Sequence, residues 1–129
     1  MEITILIILI LLIFILYSRY KGKSTGVNLY EDYFDISGMF GLTVNYKSVF
    51  QIDIVSEMAN IGIRTNGYYF MSVCRGYFIL KDIGNAYLNL NLNSPPFIRI
   101  ILENDTYIFI NLNNEKETTE LFDNLVHMI

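Results

Sequence analysis

The chain opens on one pattern and continues on another. From Ile3 to Leu16 every residue except Thr4 is Ile, Leu or Phe, and no Gly, Pro or charge divides the run. No turn or polar face can be drawn through such a stretch, which predicts a single helix that is apolar on every side. Beyond Leu29 the apolar residues fall instead into short runs separated by Gly, Pro, Asn and Asp, the pattern of strands and tight turns.

"LYEDYFDI" predicts the first strand, "SGMFG" a turn, and "LTVNY" with "VFQIDIV" the next strand or pair, broken at Lys47 and Ser48. "NIGIRT" leads into Asn66-Gly67, a favoured two-residue hairpin connection, with "YYFMSV" as the run that follows. "GYFILKD", "AYLNLNL", "FIRIILE" and "TYIFINL" extend the series. In "YLNLNLN" Leu88, Leu90 and Leu92 alternate with Asn89, Asn91 and Asn93, predicting one buried and one wet face. "YIFINLN" sets Ile108, Ile110 and Leu112 against Phe109 and Asn111, predicting a strand covered on both faces.

The end of the chain returns to helical spacing. Asn113 or Asn114 is placed to cap a helix whose first turn carries Glu115 and Glu117, acids that suit the helix dipole. Thr118, Leu121, Phe122, Leu125 and Met128 or Ile129 then form an apolar stripe at spacings of three and four. The whole pattern predicts an α+β, mainly β, fold: about seven antiparallel strands in a roll or small barrel, capped by a C-terminal helix and preceded by one transmembrane helix.

The opening run has three competing explanations: a cleaved export signal, a membrane anchor or a buried core helix. Ile3 to Tyr17 rises about 22 Å as a helix, short of the roughly 30 Å hydrocarbon core, and the flanking residues at 1, 2 and 18–20 close the gap. Tyr17 and Tyr20 then meet the lipid interface, while Arg19 and Lys21 can snorkel. An export signal needs a positive leading region and a small-residue cleavage site, but here Glu2 leads and Tyr-Ser-Arg-Tyr-Lys-Gly-Lys trails. The expectation is an uncleaved anchor over 1–20, a basic juxtamembrane linker over 21–27 and a domain over 28–129. Arg19, Lys21 and Lys23 lie on the C-terminal side of the run, which places the N-terminus outside and the domain on the cytoplasmic side of the cell's inner membrane.

Charge narrows the partners. Past Lys23 there are six Lys and Arg against twelve Asp and Glu, a net of −6. Nucleic-acid phosphates and anionic headgroups are poor partners for most of such a surface, and only the three juxtamembrane cations favour anionic lipid. The single cysteine, Cys74, cannot form an internal disulfide, in keeping with a reducing compartment.

Little in the sequence can carry a reaction. His127, the only histidine, falls near the end of the last helix four residues after Asp123, where dipole and acid both favour a surface role. One His and one Cys leave a zinc site without most of its usual ligands. Cys74 sits in an apolar strand with Arg75 expected on the opposite face, as a buried thiol. Glu31, Asp32 and Asp35 form the densest acid group but split between the faces of a regular strand, as a solvated surface does. Arg64 beside Ile61 and Ile63 suits either capping of carbonyls or an anionic ligand. With no phosphate loop, Ser-His-Asp set or H-E-x-x-H pattern, the sequence assigns no catalytic residue, metal or cofactor.

"GIRTNGY", "GYFIL", "NSPPFIRI", "YIFINL" and "ETTELFDNL", in that order, resemble the bacterial pleckstrin-homology-like domains over residues 28 to 129. The resemblance implies a two-sheet barrel closed by the final helix, often with a short N-terminal span, and no catalytic residues. It gives Arg64, Asn66 and Gly67 to a hairpin, Gly76 and Phe78 to a central strand, Pro95 and Pro96 to the approach to a late strand, and Thr118 to the helix entry. Lipid-binding relatives hold inositol phosphates with clustered cations around the first hairpin. The corresponding "DISGMFGLTVNYK" has Lys47 alone, so phosphoinositide binding is not expected.

The expected protein is thus a single-pass, noncatalytic binding or scaffolding module facing a protein partner at the inner membrane. The alternatives are a homo-oligomeric structural membrane protein whose barrels meet edge to edge, and a barrel that carries a small apolar ligand.

Overall fold

The computed structural model of the chain describes residues 2–22 and 26–129, with side chains for 2–17 and 26–129. Its elements are α1 (Glu2–Gly22), β1 (Val27–Leu29), β2 (Tyr33–Ile36), β3 (Leu42–Asn45), β4 (Val49–Val55), β5 (Ile61–Phe70), β6 (Val73–Leu80), β7 (Gly84–Asn91), β8 (Phe97–Leu102), β9 (Tyr107–Ile110) and α2 (Glu115–Met128). A 3-10 turn over Tyr46–Ser48 joins β3 to β4, at the predicted break.

The strands form two sheets. The smaller has the order β1-β2-β3 and the larger β4-β8-β9-β7-β6-β5. All neighbours are antiparallel except β7 and β9, which run parallel with Leu88 opposite Phe109. The fold is α+β and mainly β, with two sheets and a C-terminal helix. Among the described residues it differs from the expected arrangement of about seven antiparallel strands in having nine strands and one parallel pair. One extra strand arises where "LYEDYFDI" divides: Tyr30 N donates to Tyr33 O (2.8 Å), and Glu31 and Asp32 lie between β1 and β2 rather than on a strand face.

One face of the large sheet carries Tyr87, Ile98, Ile100, Ile108 and Ile110. The small sheet covers it with Phe34, Ile36, Val44 and Tyr46, and α2 adds Leu121 and Leu125. Each fully buried side chain of this kind stabilises by roughly 1.5–3 kcal/mol. The other face holds Cys74, Phe78, Leu80, Leu88, Leu90 and Phe109, against which Val55, Met58 and Ala59 pack. Strand β9 is therefore covered on both faces, as "YIFINL" predicts. Asn89 departs from the alternation in "YLNLNLN": it is buried, because its face of β7 lies under the small sheet, and its Nδ2 reaches the Tyr87 hydroxyl at 3.5 Å.

Asn111 explains how the parallel pair is tolerated. The chain must step over the end of β9 to pass from β7 to β8, and buried Asn111 ties down that crossing. It donates to Asn91 O and Ser94 O, both at 2.8 Å, and accepts from Asn91 N at 2.8 Å. Pro95 and Pro96 follow directly in the same crossing. At the entry to α2, Asn114 rather than Asn113 is the cap, accepting from Glu117 N (2.8 Å). Thr118 is fully buried and accepts from Leu112 N (2.9 Å), which docks the helix start on the strand before it.

The Asn66-Gly67 turn is corrected. Both residues lie inside β5, which continues to Phe70, and the chain reverses at Met71 and Ser72 with Met71 at φ 55°. Gly67 serves a close approach instead of a turn, since it sits opposite Gly76. Irregularities between Ile61 and Ile63 and between Arg64 and Asn66 take up the extra residues of the longer strand.

The opening run forms α1, and none of its described residues is buried. The Ile, Leu and Phe side chains from Ile3 to Leu16 are 48% to 73% exposed, so this helix is no part of the core. Among the described residues no helix is long and apolar enough to cross a membrane. The apolar stretch ends at Tyr17 after about 22 Å, and the expected span over 1–20 is not supported on that length. Of the juxtamembrane cations, Lys23 lies outside the described residues, and Arg19 and Lys21 lie on the last turns of α1 with their side chains outside the description.

Candidate functional site

Five of the eight motif residues singled out in the sequence meet on one element, the β5–β6 hairpin. Arg64 is opposite Phe78, Asn66 opposite Tyr77, and Gly67 opposite Gly76. A Cβ on Gly67 would lie 2.5 Å from Arg75 O, so two backbones approach here at a distance only glycine permits. Phe78 faces the core and Arg64 is exposed. Pro95, Pro96 and Thr118 are elsewhere, at the β7–β8 crossing and in α2, where the contacts described above are structural.

The two faces of this hairpin differ. Cys74, Phe78 and Leu80 point into the core, with Tyr69 edge-on to Phe78 at 6.3 Å. On the opposite face Tyr68 pairs with Arg75, Asn66 with Tyr77 and Ile63 with Ile79. The small sheet and α2 cover the rest of that face but stop short of the hairpin. Tyr77 is 40% exposed and Ile63 62%, and Phe70 and Ile79 are exposed beside them. Arg75 is buried beneath this strip, and burial lowers its affinity for its proton.

The strip meets the loop between β2 and β3. Tyr77 packs edge-on against Tyr87 at 5.4 Å, and the Tyr87 hydroxyl donates to Phe40 O. Met39, next in that loop, is 77% exposed. Ser37 N donates to Gly26 O (2.9 Å), so the chain arriving from α1 enters the domain beside this loop.

Elsewhere the candidate groups are dispersed. Cys74 is buried and its thiol is pushed up to about 11 by desolvation, with Arg75 opposing the rise. Such a thiol is a poor nucleophile. Asp53 and Arg99 form a two-point ion pair at 2.6 and 2.9 Å, and the Arg99 hydrogen bond holds the Asp53 carboxyl below its ordinary value. Asp35 accepts from Asn28 Nδ2 at 3.0 Å, as part of a strand pair. His127 is in the last turn of α2. Among the described residues no group of three or more His, Cys, Asp or Glu is arranged to hold a metal ion.

The sequence pointed to the hairpin but not to its apolar strip, whose residue types are those of a core. A signal was available: from Ile61 to Leu80 the chain contains Arg64 and Arg75 and no carboxylate, although the domain is strongly acidic. No family model, curated protein or solved structure matches the chain.

Proposed function

We propose that the chain is a membrane-attached, noncatalytic binding module, held in lipid by α1 and presenting its β domain at the cytoplasmic face. The observation that carries this is the exposed surface of α1. A helix apolar on one side lies in the membrane interface or on a protein core, whereas one apolar all round needs an apolar medium on every side. Gly, Ala and Ser are missing from the Ile3–Tyr17 run, so the small-residue seams that pack helices closely together are not offered. Lipid is the surrounding that fits. Basic residues Arg19, Lys21 and Lys23 at the domain end favour the cytoplasmic side.

A binding role is supported by what the domain presents: a sheet with an exposed apolar strip, and a desolvated thiol that is a poor nucleophile. The interior between the sheets is filled by side chains such as Phe34, Tyr87, Ile100 and Ile108, which weighs against a carrier of a small apolar ligand. Edge-to-edge assembly through β5 is disfavoured by its two irregularities, a common way of blunting an edge.

Fractionation tests the attachment. The full chain is expected to sediment with membranes and to resist alkaline carbonate, and Leu9→Arg with Ile10→Asp to release it into the supernatant. Recovery of the unaltered chain in the soluble fraction overturns the proposal. Capture of a protein partner from solubilised membranes, lost on substitution within the domain, tests the binding role.

A further inference from the structure

We infer that the uncovered face of the β5–β6 hairpin, centred on Ile63, Phe70 and Tyr77, lies flat against the lipid bilayer as a second contact beside α1. The inference rests on the membrane attachment proposed above and adds the orientation of the domain.

The first argument is reach. Gly22 ends α1 and Val27 begins β1, and five Cα steps span at most about 18 Å. A domain of about a hundred residues has a radius of gyration near 13 Å, so this tether keeps some face of it against the surface in which α1 is held. Gly26 identifies that side: its carbonyl accepts from Ser37 N, and the loop that follows reaches Phe40, whose carbonyl receives the Tyr87 hydroxyl beneath Tyr77. The chain therefore enters the domain next to the apolar strip.

The second argument is charge. All twelve carboxylates past Lys23 lie outside Ile61–Leu80, the segment that forms the hairpin, and this segment contributes two arginines. Of the two, Arg75 sits on this face and Arg64, opposite Phe78, on the other, so the uncovered face gains no carboxylate from its own segment and is less repelled by headgroup phosphates than the acidic remainder of the domain. Its chemistry matches the interfacial layer, with tyrosines at the headgroup level and Ile63 and Phe70 for the region beneath. Met39 extends the same apolar surface from the neighbouring loop.

Labelling the full chain in vesicles of phosphatidylcholine mixed with anionic phosphatidylglycerol tests this. An environment-sensitive fluorophore is placed on Ile63→Cys, on Met39→Cys, on Lys116→Cys at the start of α2, and on Leu12→Cys in α1, with Cys74→Ala removing the native thiol. Lipid-borne nitroxide is expected to quench the label at 63, 39 and 12 and to leave that at 116 bright. Quenching at 12 without quenching at 63 or 39 overturns the inference and leaves the attachment standing. No quenching at 12 overturns the attachment itself. A blue shift at 63 that follows protein concentration and ignores the nitroxide assigns the strip to a second copy of the chain and also overturns the inference.

Discussion

Gly76 stands opposite Gly67 across β5 and β6, and a Cβ on Gly76 would lie 2.5 Å from the Asn66 carbonyl oxygen and 2.6 Å from the Gly67 Cα. Gly76 also has φ +111°, outside the region L side chains favour. The contact is backbone against backbone, so no flexible side chain can move aside.

Gly76→Ala is therefore expected to cost on the order of 2–4 kcal/mol, from positive-φ strain together with the separation of β6 from the edge strand β5. Thermal melting measures the loss directly. A melting temperature within a degree of the parent would mean that the hairpin tolerates a wider strand spacing than its geometry implies.

Asn111→Leu keeps the approximate volume and removes three hydrogen bonds that fix the crossing between β7 and β8. Leaving those backbone groups without partners is expected to cost roughly 3 kcal/mol. Hydrogen exchange at Asn91 N should accelerate far more than exchange in β4, which makes no contact with this side chain.

The Asp53–Arg99 pair gives a pH signature. Asp53 is lowered from its ordinary 3.8, first by the Arg99 hydrogen bond and despite some desolvation. A depressed carboxyl stabilises the fold above its unfolded value, and the contribution is lost as pH falls through the lower folded value. Both partners are partly exposed, so the effect is about 1 kcal/mol or less. Asp53→Asn should lower stability by up to that amount above about pH 4 and remove the corresponding fall below it. An Asp53 carbon resonance titrating at or above 3.8 would contradict the pairing.

Cys74, with its thiol raised to about 11 and fully buried, is expected to resist alkylation at pH 8 in the folded chain and to react within minutes in denaturant. Rapid native-state reaction would show that β5 opens away from β6.

Periodicity made most of the large sheet legible. The runs that became β6 to β9 and α2 carry strong alternation or helical spacing, and their turns are marked by Asn, Asp and Pro. Two kinds of information were not local. Asn66-Gly67 has the composition of a turn, but whether glycine serves reversal or close approach depends on Gly76 across the ladder. Asn89 has the period of a wet position and is buried because another sheet lies over it. The apolar strip was hidden for the same reason in reverse: Ile63 and Tyr77 have the residue types of a core, and only the extent of the covering layer leaves them exposed. The greasy opening run declared its helix plainly, whereas its surroundings are not encoded in the run itself.

The position of β9 also dictates an order of assembly. It is the sole join between the β4–β8 ladder and the β5-β6-β7 meander, and it follows every other strand of that sheet in the sequence. Until Tyr107–Ile110 has been synthesised, the nascent polypeptide holds two unconnected halves whose inner borders, Ala86–Asn89 and Ile98–Ile101, stay open. Commitment to the finished sheet therefore waits for β9, and during that interval those two borders are where the growing chain is most vulnerable to aberrant pairing.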